Sequence, residues 1–199
     1  MPRPVLHVII ASTRPGRIGP AVARWFKQLA DRLAGFDARL VDLADFDLPV
    51  YDEPVHPRMQ QYQHDHTRRW SESVAAADAY VFVTPEYNFN PPPALVNALN
   101  YVYREWNYKP CGFVSYGGVS GGLRAAQAAK LLVTTLKMMP MVEGVMVPMA
   151  WQQLDEEGHF QSNALIDHSA EGLLEELQRW AEGLRAMRQS LQETGPSPR

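Results

Sequence analysis

Near its start the chain carries the apolar run Val5-Leu6-His7-Val8-Ile9-Ile10-Ala11, followed by the loop Ser12-Thr13-Arg14-Pro15-Gly16-Arg17-Ile18-Gly19 and a helical pattern from Pro20. A short apolar run, a polar loop with glycines and a helix in immediate succession predict a strand and a helix joined by this loop. The backbone N–H groups at the start of such a helix are free, and together with the aligned peptide dipoles they attract an anion.

The same loop carries side chains that bind phosphate groups. Ser12 and Thr13 supply hydroxyls, and Arg14 and Arg17 supply guanidinium groups. The loop lacks both the Gly-Lys-Ser/Thr ending of a Walker loop and the glycine pattern of a dinucleotide site. A plain strand-to-helix connection with surface arginines is the alternative, but the composition of the loop favours a phosphate-bearing ligand.

Length and composition predict one globular domain. The chain has 199 residues, 46% of them hydrophobic and 21% charged, which suits a single domain over residues 1–193 with a mobile tail at 194–199. A net charge of −3 argues against a nucleic-acid partner. No apolar run approaches the roughly 20 residues of a membrane helix. The first strand starts too early to leave room for a secretory signal, and the single Cys111 has no disulfide partner, so we expect a cytoplasmic protein.

Strand-like and helix-like segments alternate along the chain, which predicts an α/β fold with a five-stranded parallel sheet covered on both faces. Ligands of such sheets bind beyond the carboxyl ends of the strands, where the strand order reverses. The loops after the first, third and fourth strands are therefore the ones to examine. The strands are predicted at 5–11, 38–43, 79–84, 111–116 and 141–147, and the helices at 20–33, 67–77, 93–102, 120–138 and 163–191.

The loop after the third strand is Pro85-Glu86-Tyr87-Asn88-Phe89-Asn90-Pro91-Pro92-Pro93. Its prolines fix their own φ angles and push the preceding residues into extended conformations, so the path of the loop is stiff. A stiff loop with two aromatic side chains can form a wall against a flat ligand. It can equally be a proline-rich break before a helix, and composition alone leaves both interpretations open.

The loop after the fourth strand is Ser115-Tyr116-Gly117-Gly118-Val119-Ser120-Gly121-Gly122. Its glycines allow a ligand to approach the backbone closely and leave the N–H groups unobstructed. The helix that follows, for which Ser120 is a plausible cap, directs its positive end to the same place. Negative charge on a ring atom would be stabilised there, whereas a flexible hinge is the alternative.

Other candidates are weaker. His64-Asp65-His66 could contribute to a metal site, but without a third spaced ligand a solvated loop is favoured. No G-x-S-x-G elbow is present. The aromatic residues between the third helix and the fourth strand belong either to the core or to a subunit contact. They are Tyr101, Tyr103, Trp106 and Tyr108.

The chain resembles the NADPH-dependent FMN reductase family of flavodoxin-like proteins. The resemblance is carried, in this order, by the first loop, by Pro85-Glu86-Tyr87-Asn88 and by Ser115-Tyr116-Gly117-Gly118. The resemblance covers about residues 4 to 150. It implies a flavodoxin-like three-layer sandwich with strand order 2-1-3-4-5 and FMN bound where that order reverses.

By this resemblance, Ser12 and Arg14 hold the FMN phosphate, with help from Arg17 and the backbone N–H groups of Ile18 and Gly19. Many relatives instead carry Ser at the position of Arg17 and Asn at that of Gly19. The flavin ring would be contacted by Pro85, Glu86, Tyr87 and Asn88, and along its other edge by Ser115, Tyr116, Gly117 and Gly118.

The resemblance implies an FMN-dependent oxidoreductase that passes two electrons from NADPH or NADH to a quinone, an azo compound, a metal oxyanion or free flavin. Because the flavin does the chemistry, no catalytic side chain and no metal are expected. Relatives are commonly homodimers or homotetramers, and a small-molecule acceptor is expected, with neither nucleic acid nor membrane as a partner. The alternatives are a flavodoxin-type electron carrier and a flavin-binding regulatory module. The near-neutral charge and the arginines of the first loop favour the enzyme over the carrier.

Overall fold

The chain folds around a parallel sheet with helices on both faces. A computed structural model describes residues 2–193, and the predicted tail at 194–199 lies outside that range. The strands are β1 (Val5–Ile10), β2 (Asp37–Asp42), β3 (Ala79–Pro85), β4 (Pro110–Tyr116), β5 (Met139–Pro140) and β6 (Val145–Val147). The helices are α1 (Gly19–Leu33), α2 (Asp65–Ala75), α3 (Pro93–Tyr101), α4 (Leu123–Thr135) and α5 (Ala164–Glu193).

The strand order is β2-β1-β3-β4-β5, with β6 also paired to β4, and every pairing is parallel. The predicted order 2-1-3-4-5 is therefore confirmed. The chain crosses from one side of β1 to the other between β2 and β3, so the order reverses at β1 and β3. The loops after β1, β3 and β4 consequently meet at one edge of the sheet.

Two apolar cores lie on opposite faces of the sheet. One core packs α1 and α5 against the sheet, for example through Phe26 and Leu173, and the other packs α2, α3 and α4 against it. Tyr101 and Trp106, for which core and subunit contact were both open, are fully buried in the second core. Among the described residues no helix has the length and apolar character needed to cross a membrane.

The predicted fifth strand at 141–147 is wrong as one continuous element. The structure has two short strands, Met139–Pro140 and Val145–Val147, with an irregular segment between them. Pro140 lacks a backbone N–H for a ladder bond, and such residues are tolerated at sheet edges. In the interruption Val142 is 88% exposed, and its carbonyl accepts a hydrogen bond from Lys130.

Helix α4 begins at Leu123 rather than at Ser120 as predicted. Gly121 and Gly122 have φ values of +58° and +81°, so the backbone before Leu123 is left-handed and cannot be part of the helix. Gly122 takes the N-cap position, and the hydroxyl of Ser120 bonds the carboxylate of Glu86 instead.

A buried lysine binds the C-terminal carbonyls of α2, at the edge of the sheet opposite the loops after β1, β3 and β4. Lys109 is 7% exposed, and its ammonium donates to the carbonyls of Val74 and Ala75 and to the hydroxyl of Tyr80. Burial, with the positive charge of Arg188, lowers the pKa of Lys109 from 10.5 to about 7.

Stability should therefore rise with pH as Lys109 deprotonates. Between about pH 7 and 8.5 the unfolded chain holds a proton at Lys109 that the folded chain releases, so the free energy of unfolding increases by up to about 1.4 kcal/mol per pH unit. Urea unfolding at several pH values checks this, with Lys109→Met as the matched variant. The variant should lack this contribution, and equal slopes in both proteins would contradict it.

Candidate active site

A cavity of about 350 Å³ opens at the edge of the sheet where the three loops meet. Most of the predicted site residues line it, together with residues from the segment after β6. The lining residues are Arg14, Gly16, Arg17, Ile18, Pro85, Glu86, Tyr87, Tyr116, Gly117, Gly118, Ala150 and Trp151. The volume is in the range of small-molecule sites, roughly 300–1,000 Å³.

At one end of the cavity, the loop after β1 presents backbone donors. Helix α1 starts at Gly19, and Ile18 at its N-cap receives no side-chain hydrogen bond. Gly16 turns the loop with a φ of +71°. Within residues 2–193, the N–H groups of Thr13, Gly16 and Ile18 make no hydrogen bond. These free donors and the dipole of α1 make this end of the cavity suited to an anion.

Two arginines add positive charge at the same end. Arg14 is exposed, whereas Arg17 is partly buried and places Nη2 2.5 Å from Oδ2 of Asp42. Asp42 is itself held by the backbone N–H of Ala44. The Nε of Arg17 is buried and has no hydrogen-bond partner among the described residues. An unsatisfied buried donor is costly, and an anion in the cavity would supply the missing acceptor.

A hydrogen bond joins the loop after β1 to the loop after β3. The hydroxyls of Ser12 and Tyr87 are 2.8 Å apart, and the oxygen of Ser12 also accepts the N–H of Arg14 at 3.3 Å. Ser12 is 1% exposed and lies behind the cavity wall. Its hydroxyl therefore fixes the arginine-bearing loop and the ring of Tyr87 relative to each other.

The loop after β3 ends in a tight turn. Tyr87 and Asn90 exchange two backbone hydrogen bonds of 2.9 and 3.0 Å, and both Asn88 and Phe89 between them have positive φ. Asn tolerates this backbone, but a bulky Phe at φ +70° is strained. Phe89 is exposed, and the guanidinium of Arg124 lies 3.8 Å from its ring centroid, a cation–π contact that offsets part of the strain.

Glu86 ties this loop to the start of α4. Its carboxylate accepts hydrogen bonds from Ser120 and from the side chain and backbone of Arg124, and its side chain is 7% exposed. Desolvation works against ionisation, but Arg124 and Ser120 hold the pKa of Glu86 below its ordinary value. Glu86 is thus an ion-paired anchor rather than a free acid or base.

The loop after β4 supplies a glycine wall. Gly117 and Gly118 line the cavity, and Gly121 and Gly122 take left-handed conformations behind them. A Cβ on Gly122 would lie 2.7 Å from the backbone nitrogen of Tyr116, so no larger residue fits without a shift.

Ser115 and Tyr116, which precede these glycines, pack against neighbouring residues of the site. Ser115 is buried and donates to the carbonyl of Gly121. The hydroxyl of Tyr116 lies 2.7 Å from where a Cβ on Gly19 would be, so Gly19 allows α1 to start against this ring. Burial raises the pKa of Tyr116, which keeps its hydroxyl neutral.

The structure thus places the predicted residues in two groups. Ser12, Gly19, Asn88 and Ser115 do not line the cavity, although Ser12, Gly19 and Ser115 support residues that do. Gly16, Ala150 and Trp151 line it without having been predicted. The signal for Ala150 and Trp151 was their place after the last strand, at the same edge of the sheet.

The two predicted histidine candidates form a separate cluster. His64 and His66 stack with ring centroids 5.1 Å apart, and their Nε2 atoms lie 3.9 and 3.1 Å from the carboxylate of Asp52. Tyr101 also donates to Asp52. In the described part of the chain no group of three or more His, Cys, Asp or Glu is arranged to bind a metal. The contacts fasten the long segment before α2 to α3.

The cavity fits a planar ring that carries a phosphate. Free N–H groups, two arginines and one unsatisfied guanidinium nitrogen lie at one end. Glycine backbone and aromatic side chains lie at the other, where a flat ring can approach without meeting a Cβ. FMN has both of these chemical parts, so the residues present fit this cofactor.

Comparison with known proteins agrees with this geometry. Residues 4–152 match the family described as NADPH-dependent FMN reductase. An NAD(P)H-dependent FMN reductase of Schizosaccharomyces pombe is 44% identical over 126 residues, which are 62% of this chain and 63% of that protein. A quinone reductase of Pseudomonas putida is 30% identical over 137 residues, or 66% of this chain and 70% of that protein.

A solved structure gives the same fold at low identity. The flavoenzyme NAD(P)H:(acceptor) oxidoreductase FerB of Paracoccus denitrificans superimposes with a TM-score of 0.73 and 19% identity, covering 90% of this chain and 98% of that one. Since the family match spans most of the chain, the chain belongs to the NADPH-dependent FMN reductase family of oxidoreductases, with FMN as cofactor and NAD(P)H as electron donor.

Proposed function

We propose that this enzyme reduces quinones with electrons from NAD(P)H, using FMN held in the cavity between the loops after β1, β3 and β4. The observation that carries the proposal is the polarity of that cavity, cationic at the start of α1 and flat and glycine-lined at Gly117 and Gly118. Quinone reductases among the relatives support the choice of acceptor.

In this proposal the loop after β1 binds the phosphate of FMN. Arg14 and the Nε of Arg17 donate charge-assisted hydrogen bonds, and the N–H groups of Thr13, Gly16 and Ile18 complete the site. Asp42 holds Arg17 in place through its Nη2.

The other end of the cavity positions the ring. Tyr87, held by Ser12, and the backbone of Gly117 and Gly118 confine it. Bound FMN would supply the hydride-transfer chemistry that couples oxidation of NAD(P)H to reduction of the acceptor. Overall, NAD(P)H, a quinone and one proton become NAD(P)⁺ and a hydroquinone.

Among the described lining residues, the ionisable side chains are committed to structure or to positive charge. Glu86 is ion-paired with Arg124, Tyr87 is bonded to Ser12, and Tyr116 is buried. We therefore assign the supply of the proton to solvent. The side chains act by binding and orientation.

A steady-state assay tests the proposal. We expect NADPH oxidation that depends on added 1,4-naphthoquinone and yields one hydroquinone per NADPH. Arg14→Ala should lose activity at limiting FMN, whereas Arg24→Ala, which removes an exposed charge from α1, should not. Protein that binds FMN but oxidises no NADPH would instead support an electron carrier or a regulatory module.

Substitution of Asp42 should strengthen FMN binding, whereas substitution of Arg14 should weaken it. The carboxylate of Asp42 sits beside the proposed phosphate site, so Asp42→Asn should remove a repulsion. Turned towards Arg17, the amide oxygen keeps that hydrogen bond and gives up the one from the N–H of Ala44. We expect FMN to bind about 3- to 10-fold more tightly, a gain of about 1 kcal/mol. Fluorescence titration with FMN measures the effect, and Asp45→Asn in the following turn is the matched control. Weaker binding by the Asp42 variant would contradict this assignment.

A further inference from the structure

The cavity has one aromatic wall residue with neither a ring partner nor a hydrogen bond in the described part of the chain. Trp151 lines the cavity beside Gly118 and is 54% exposed. The tryptophans packed at the sheet, Trp25, Trp70 and Trp106, are at most 8% exposed and pack edge-to-face with other rings. A large, half-exposed indole at the mouth of a ligand cavity is a binding feature rather than a core feature.

The backbone around Trp151 is held rigidly. Met149 turns the chain with a φ of +49°. Its N–H donates to the carbonyl of Gly118 at 3.1 Å, and the N–H of Ala150 donates to the carbonyl of Gly117 at 3.3 Å. The side chain of Gln153 bonds the carbonyl of Pro148. The backbone that carries the indole is therefore fixed to the same glycine loop that forms the flat wall of the cavity.

Trp151 lies at a different part of the cavity from the residues proposed to bind the phosphate. The cationic end of the cavity lies at the start of α1, and the hydroxyls of the two lining tyrosines are directed to Ser12 and towards Gly19. Trp151 instead lies next to Gly118: a Cβ on that glycine would be 4.0 Å from the indole. Its exposure places it where an exchanging ligand enters, not where a resident cofactor is enclosed.

We propose that Trp151 is a specificity-determining residue, whose indole stacks on the ring of a planar aromatic electron acceptor. This inference rests on the proposed function. The indole contributes dispersion and ring-stacking energy only to ligands with a flat apolar face. It therefore favours naphthoquinone-like acceptors over small inorganic ones.

Steady-state kinetics with two acceptors tests the assignment. Trp151→Ala should raise the KM for 1,4-naphthoquinone about 5- to 10-fold, as expected for the loss of one stacked ring. The KM for ferricyanide and the dissociation constant of FMN should change less than about twofold. Trp151→Phe should restore most of the naphthoquinone affinity, whereas Trp151→Leu, apolar but not aromatic, should not.

Trp180 supplies the matched control, since it is 39% exposed on α5 and does not line the cavity. Trp180→Ala should leave both KM values unchanged. A parallel rise for both acceptors, or a loss of FMN affinity in Trp151→Ala, would overturn the proposal. Wild-type protein that reduces ferricyanide but not naphthoquinone would overturn the proposed function itself, which is a different outcome.

Discussion

The double variant Arg14→Ala/Arg17→Ala is expected to bind FMN at least about 100-fold more weakly than the wild type. In the proposed site each arginine would donate hydrogen bonds to a doubly charged phosphate, and bonds of this kind are worth about 1.5–3 kcal/mol each. Two of them correspond to a factor of about 100 or more in the dissociation constant. The remaining N–H groups of the loop would still attract the phosphate, so binding should not vanish.

Riboflavin, which lacks the phosphate, isolates the contribution of this loop. The wild type should bind riboflavin much more weakly than FMN, and the double variant should bind the two ligands with nearly equal affinity. Arg24→Ala removes one positive charge, as each single arginine substitution does, but leaves the loop after β1 intact. Its FMN affinity should therefore match that of the wild type. Equal losses for FMN and riboflavin in the double variant would show that the arginines act on folding and not on the phosphate.

The second large effect is expected at Gly122, where substitution by Ala should destabilise the fold by about 2–4 kcal/mol. The φ of +81° disfavours a side chain, and a Cβ would approach the backbone nitrogen and oxygen of Tyr116 to 2.7 and 2.8 Å. Because these neighbours are backbone atoms of β4, no side-chain rotation relieves the clash. The loop from Gly117 must shift instead, so FMN binding should weaken as well.

Gly172 on α5 provides the control for this substitution. A Cβ there would meet no atom within 4 Å and its φ is not positive, so Gly172→Ala should stabilise the helix by about 0.5–1 kcal/mol. Urea unfolding of both variants measures the difference. An unchanged free energy of unfolding in Gly122→Ala would contradict the packing described around Tyr116.

The sequence predicted the parallel sheet because its strands are strongly apolar and separated by amphipathic segments. The run from Val5 and the helical spacing of Val22, Phe26 and Leu29 leave little choice of element type. Its errors fall where local signals compete. The edge strand breaks after Pro140, and the left-handed Gly121 and Gly122 put the start of α4 at Leu123 although Ser120 resembles a cap.

The cavity was predicted in part for the same reason. Loops at the carboxyl ends of neighbouring strands must meet, so Arg14, Tyr87 and Gly117 could be brought together from topology alone. Contacts between side chains distant in sequence could not. Arg17 pairs with Asp42, and Glu86 pairs with Arg124 instead of facing a ligand. Both ion pairs depend on three-dimensional packing that no local sequence pattern encodes.

The sequence did not identify Trp151 as a cavity residue. Its segment follows the interrupted strand, for which the sequence predicted one continuous strand with no site residues after it. The indole reaches the cavity because Met149 and Ala150 bond the carbonyls of Gly118 and Gly117. Such backbone bonds leave no trace in composition.

An anaerobic absorbance titration follows the bound flavin itself and so tests whether it accepts electrons from NADPH. Protein loaded with FMN should lose its visible absorbance on addition of one equivalent of NADPH and regain it with one equivalent of 1,4-naphthoquinone. The double variant Arg14→Ala/Arg17→Ala, at the same subsaturating FMN concentration, should show little protein-bound flavin to bleach. FMN that stays oxidised in the presence of NADPH, or flavin that binds equally well without the two arginines, would contradict the account.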